Sequence, residues 1–103
     1  MTPAECTTRE DIRREIDRLD RVLVDLLVER FGYIRRMAEI KNDPDEARID
    51  SRVNDVLAKV TALAKERGLD VDLAADLWTT LMDWNIEWER QAIAARANKK
   101  AKP

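Results

Sequence analysis

Residues 12–41, IRREIDRLDRVLVDLLVERFGYIRRMAEIK, decide the fold. Ile12, Ile16, Leu19, Leu23, Leu27, Arg30, Ile34, Met37/Ala38 and Lys41 recur at steps of three and four, the period of one helical face, apolar but for Arg30 and Lys41. Thr7 or Thr8 caps the start with Glu10 or Asp11 in the opening turn, and no breaker intervenes before Lys41. Asn42-Asp43-Pro44-Asp45 then stops the helix, because proline lacks a backbone donor and pushes its predecessor out of helical geometry. Such a helix spans about 50 Å, more than a compact monomer of this size needs. Its apolar face calls for another long helix, which an antiparallel homodimer supplies.

Two more helices follow. Asp50 or Ser51 caps the second, whose apolar positions are Val53, Val56/Leu57, Val60 and Leu63/Ala64. Gly68 ends it, and Asp70 or Asp72 starts the third, with Leu73, Leu77/Trp78, Leu81/Met82, Trp84/Asn85, Trp88 and Ala92 along it. The expected fold is all-α, with one long and two shorter helices in a single domain over residues 1–103. Residues 1–7 and 97–103 are expected as loose ends.

Composition narrows the chemistry. The chain has 103 residues, of which 45% are hydrophobic and 39% charged, with only 2 Gly and 3 Pro, as long amphipathic helices require. Its net charge of −2 provides no field for nucleic acid, and the basic end Asn98-Lys99-Lys100-Ala101-Lys102-Pro103 is a short solvated run. The N-terminal stretch lacks the apolar core of a signal peptide, and no apolar run is long enough to span a membrane. A cytoplasmic protein without membrane or nucleic-acid partners is expected. Cys6 is the sole cysteine and there is no histidine, which argues against an intrachain disulfide, a metal site and histidine-dependent nucleophiles. No glycine-rich phosphate loop is present either. An enzyme of this composition works by electrostatics and positioning.

Arg30 and Lys41 supply the electrostatics. Both fall on the apolar stripe of the first helix, within about 20° of one another and about 16 Å apart along the axis. Either side chain can snorkel, laying its methylenes on the core while its charge reaches water. The alternative is an anion held between them, and the arginine fork with the lysine point charge suits a small polycarboxylate. A helical dimer without chemistry, binding a carboxylate metabolite or a partner protein, is the reading from a different class.

The segment Ile12-Arg13-Arg14-Glu15-Ile16-Asp17-Arg18-Leu19-Asp20, followed by Leu26-Leu27-Val28-Glu29-Arg30 and Lys41 eleven residues on, resembles the first helix of the all-helical chorismate mutases. The likeness continues through Arg52, the Gly68-Leu69-Asp70 turn and the third helix. Pro3-Ala4-Glu5-Cys6-Thr7 also resembles the start of the isochorismate-pyruvate lyases, relatives within the same fold. The resemblance implies an intertwined helical homodimer with two active sites, acting without cofactors on a cyclic enolpyruvyl dicarboxylate, chorismate or isochorismate.

By matched position, the resemblance implies that Arg30 grips a substrate carboxylate and that Lys41 donates to the ether oxygen. Arg13, offset by about 100° from Arg30 around the helix, would enter the other subunit's site. Arg52 matches an arginine near the substrate, although a first-turn arginine is also an ordinary surface charge. Glu89 shares a helix line with Trp78, Met82 and Asn85; the family has glutamine there, or glutamate in some fungal mutases. The position after Arg52, where many mutases have a glutamate that recognises the ring hydroxyl, is Val53. The lyases also carry an apolar residue there, and a 4-amino-4-deoxychorismate mutase could accommodate one. Chorismate mutase is the expected activity, with isochorismate-pyruvate lyase next. The three tryptophans are expected to pack.

Overall fold

The computed structural model describes residues 1–101, and these form three α-helices and no strand: α1 (Arg9–Ile40), α2 (Asp50–Arg67) and α3 (Val71–Ala101). One-turn 3-10 segments lie at Pro3–Glu5 and Pro44–Ala47. The chain divides into two units, Met1–Tyr33 and the part from Ile34 onward.

In the first unit, Thr8 is the cap. Its Oγ1 accepts the Asp11 amide at 3.0 Å, while Asp11 Oδ2 accepts the Thr7 and Thr8 amides at 3.1 and 3.2 Å. This reciprocal arrangement satisfies donors that the first helical turn cannot. Glu15 anchors the chain start, meeting the Met1 amine at 3.4 Å and Arg18 Nε at 2.9 Å. The apolar row of this unit is wet in the single chain: Leu23 is 56% exposed and Leu27 45%, with Ile12, Ile16 and Leu19 similar.

The second unit holds the core. Asp43 Oδ1 accepts the Asp45 amide at 2.9 Å, setting the turn at Pro44–Ala47 that ends the α1 direction. Here the capping expectation needs correcting: Ile49, rather than Asp50 or Ser51, occupies the N-cap of α2. The Ile49 carbonyl accepts both the Arg52 and Val53 amides at 3.0 Å, and Asp50 is engaged by Arg48 Nε at 3.1 Å. Gly68 closes α2 with φ 79°, a conformation that costs a Cβ-bearing residue stability, as its own amide turns to Lys65 O and Leu69 N to Ala64 O. Asp70 caps α3 by accepting the Asp72 and Leu73 amides at 2.8 and 3.0 Å.

Helix α2 and the Pro44–Ala47 turn both pack on α3. Ala74, Met82, Asn85, Glu89 and Ile93 are the buried positions of α3, flanked by half-buried Trp78, Leu81, Trp88, Ala92 and Arg96. Ala47 and Ala64 are buried as well. One expectation fails on α3. It has 31 residues against 32 for α1 and 18 for α2, so there are two long helices rather than one. Ala92, Ala94, Ala95 and Ala97 are strong helix formers with no breaker among them, and α3 runs on to Ala101, within the stretch 97–103. Residues 102 and 103 of that stretch lie outside the described residues. Trp84, expected to pack, is 62% exposed because it falls one position outside the α3 face bearing Asn85 and Glu89.

Candidate active site

Lys41 is the first residue beyond α1, and its amide still donates to Met37 O at 3.0 Å. Its position is therefore governed by the final turn of that helix. From there Nζ reaches Glu89 Oε1 of α3, 2.7 Å away. Glu89 is only 4% exposed, and its burial follows from the α3 periodicity, with Asn85 one turn before and Ile93 one turn after on the same face. Two charges removed from water need each other, since either alone would face the desolvation penalty unpaired. The ammonium approaches off the line of a hydrogen bond, so Oε1 retains an unused hydrogen-bonding position despite being buried.

A second α3 cation meets the same turn. Arg96 Nη1 donates to Ala38 O at 2.6 Å, and Nη2 donates to Lys41 O. Such carbonyls at a helix C-terminus lack intrahelical partners, and a cation there also complements the helix dipole. Asn85, 5% exposed, completes a run of polar groups on an otherwise apolar face.

The other expected site residues are placed as follows. Arg13 is exposed on α1 and Arg30 half-buried, both in the first unit. Val53 is half-buried on α2. Arg52 is exposed and its Nη1 lies 2.9 Å from Asp55 Oδ2, a carboxylate that Lys59 also meets at 2.9 Å. Those contacts, Lys59 first and Arg52 after it, hold the Asp55 carboxyl below its ordinary range. The structure thus brings Lys41 and Glu89 into contact, while Arg52 engages an acid on its own helix. Arg96 escaped the sequence reading, as did the polar character of Asn85 as part of this cluster. Both carry the signal that exposed Arg30 and Lys41, a polar residue on an apolar helical line.

Chemically, the pair offers a cation that can donate to an oxygen bearing negative charge, beside a carboxyl that accepts when ionised and donates when protonated. Among the described residues, no group of three or more metal-ligating side chains comes together, and no helix is long and apolar enough to cross a membrane.

Comparison with known proteins places these observations. The family model described as chorismate mutase type II matches residues 12–90, a span that includes Arg13, Arg30, Lys41, Arg52, Val53 and Glu89. The chain is 32% identical over 85 residues to an isochorismate pyruvate lyase of Pseudomonas aeruginosa, covering 82% of this chain and 84% of that protein. It is 25% identical over 99 residues to a chorismate mutase of Methanocaldococcus jannaschii, covering 89% of this chain and 94% of that one.

Proposed function

Because the chain belongs to the chorismate mutase type II family, we propose that it is a chorismate mutase, converting chorismate to prephenate in the cytoplasm without a cofactor. The reaction breaks an ether bond as a carbon–carbon bond forms, so it needs neither nucleophile nor proton shuttle. It needs the reactive conformer held and the negative charge developing on the ether oxygen stabilised. The observation that carries the reading is the buried Lys41–Glu89 contact at 2.7 Å. Lys41 donates to the ether oxygen and a substrate carboxylate. Glu89, in its protonated form, is the second donor to the ether oxygen, and Arg30 grips a carboxylate. Arg52 and Val53 border the substrate from α2.

The half-exposed row from Ile12 to Leu27 supports a homodimer in which a second copy covers it and Arg13 enters the partner's site. Sedimentation at micromolar concentration should give a dimer. Mixing Arg13→Ala and Arg30→Ala subunits under exchange should regenerate one working site in some heterodimers. A folded, active monomer would refute both the pairing and the trans role of Arg13.

Val53 and the 32% identical relative favour a second reading, isochorismate-pyruvate lyase. Incubating the purified protein separately with each substrate decides between them. Prephenate from chorismate supports the first reading; salicylate and pyruvate from isochorismate, with chorismate unchanged, replace it. On the accepted substrate, Glu89→Gln should retain kcat/KM, because the amide supplies the same donor, whereas Glu89→Ala should lose it. Equal kcat/KM in the parent and both variants would remove Glu89 from the chemistry.

A further inference from the structure

Glu89 and Arg96 are seven residues apart on α3, so they point within about 20° of each other and are separated by about 10 Å along the axis. Both meet the end of α1. Glu89 takes the Lys41 side chain, with Nζ 2.7 Å from Oε1, while Arg96 takes the Lys41 main-chain carbonyl through Nη2. Through Nη1 the same guanidinium holds Ala38 O at 2.6 Å, one turn earlier, in a residue that is itself buried. Lys41 is thus gripped at its backbone and at its charged end by one face of one helix.

We propose that Arg96 is a positioning residue for Lys41, fixing the last turn of α1 so that Nζ is delivered to the reacting oxygen. The proposal rests on the reading of Lys41 as the donor to substrate. Its physical basis is the break at Asn42-Asp43-Pro44, which deprives the terminal carbonyls of onward helical partners. A guanidinium presents several donors in a rigid fork, so it can span two carbonyls, whereas a lysine is a single mobile point charge. Arg96 lies on α3 beyond residue 90, where the family match stops.

The test compares the parent protein, Arg96→Ala, Arg96→Lys, Lys41→Ala and the double variant Lys41→Ala/Arg96→Ala. Small displacements of a positioned group slow reactions steeply. Arg96→Ala should therefore lower kcat on chorismate by about 10- to 100-fold, with a smaller change in KM, and Arg96→Lys should recover only part of the loss. In the Lys41→Ala background the same substitution should cost almost nothing more, since the group it positions is gone. An equal loss in both backgrounds, or an unchanged kcat in Arg96→Ala, overturns the proposal.

Hydrogen exchange at the Lys41 amide provides a readout independent of the substrate. It should speed up at least tenfold in Arg96→Ala relative to Val60, in the middle of α2. Unchanged protection at Lys41 also overturns the proposal. If the alanine variant does not fold, Arg96→Lys serves for both readouts. If Lys41→Ala turns over normally while Lys41 loses protection in Arg96→Ala, the functional reading fails and the structural role of Arg96 stands.

Discussion

Breaking the Lys41–Glu89 pair from either side should cost stability, and breaking both sides together should cost little more than the milder single change. At 2.7 Å and an effective dielectric of about 20, two unit charges attract by about 6 kcal/mol. Withdrawing both ions from water costs several kcal/mol each, so the intact pair contributes close to nothing net. Removing one partner exposes the penalty of the other. Lys41→Met strands a carboxylate that is only 4% exposed, and the loss should be about 3 kcal/mol, at the low end for buried pairs. The Lys41 side chain is 16% exposed and can swing its ammonium to water, so Glu89→Gln should lose only about 1 kcal/mol. The double variant Lys41→Met/Glu89→Gln should also lie about 1 kcal/mol below the parent, a coupling of about 3 kcal/mol. Urea unfolding of all four proteins at one protein concentration and neutral pH measures the cycle. Losses that add to within about 0.5 kcal/mol would show that the contact is not made in solution.

Other outcomes follow from the helix ends and surface pairs. Thr8→Ala should destabilise α1 by about 1 kcal/mol, seen by thermal unfolding, since it removes the acceptor of the Asp11 amide. The Thr7 amide, with those of Thr8, holds the Asp11 carboxyl below its ordinary value of 3.8, so this cap persists above that value and loosens as pH falls through the lowered one; circular dichroism should follow its loss. Glu87 is held at about 2, first by Arg90 and then by Gln91, against an ordinary 4.5. Its contribution is complete above about 4.5 and lost as pH drops toward about 2; in Arg90→Ala the acid limb of the stability profile should flatten over that window. A Cβ at Gly32 or Gly68 would meet open space, so the backbone alone decides the sign there. Gly68→Ala should lose about 1 kcal/mol at its positive φ, whereas Gly32→Ala within α1 should gain about 1 kcal/mol, both by chemical denaturation.

Local punctuation was readable wherever a residue has one conformational purpose. Thr8 with Asp11, the Asn42-Asp43-Pro44 stop, Gly68 and Asp70 all act where the sequence places them. The start of α2 was misread because a main-chain carbonyl, which every residue owns, does the work expected of an aspartate or serine side chain. The length of α3 was underestimated for a related reason. Periodicity marks a helix by its buried stripe, and an alanine-rich extension propagates on backbone preference with little stripe to see. Burial of Glu89 was legible from its line with Met82 and Asn85. The partners it would meet were not, because contacts between residues 41 and 89, or 41 and 96, depend on how helices cross. Sequence spacing within one helix carries no record of that crossing.

The wet row on α1 also has a consequence in time. The ribosome completes the segment through Lys41 while the 60 residues that lead to the end of α3 at Ala101 are still to be added. At synthesis rates of about 5–20 residues per second, the stripe waits in water for about 3–12 s before the three-helix chain exists. Its defence is built into the same segment: Arg13, Arg14, Glu15, Asp17, Arg18, Asp20, Arg21 and Asp25 interleave with the apolar positions, so nowhere between Ile12 and Val22 do two apolar residues stand side by side. That spacing keeps uncharged, strand-forming windows out of residues 12–21, and Asp25 alone interrupts the apolar run from Val22 to Val28. The charges that pair along the finished helix also break up its apolar runs while the chain is half made.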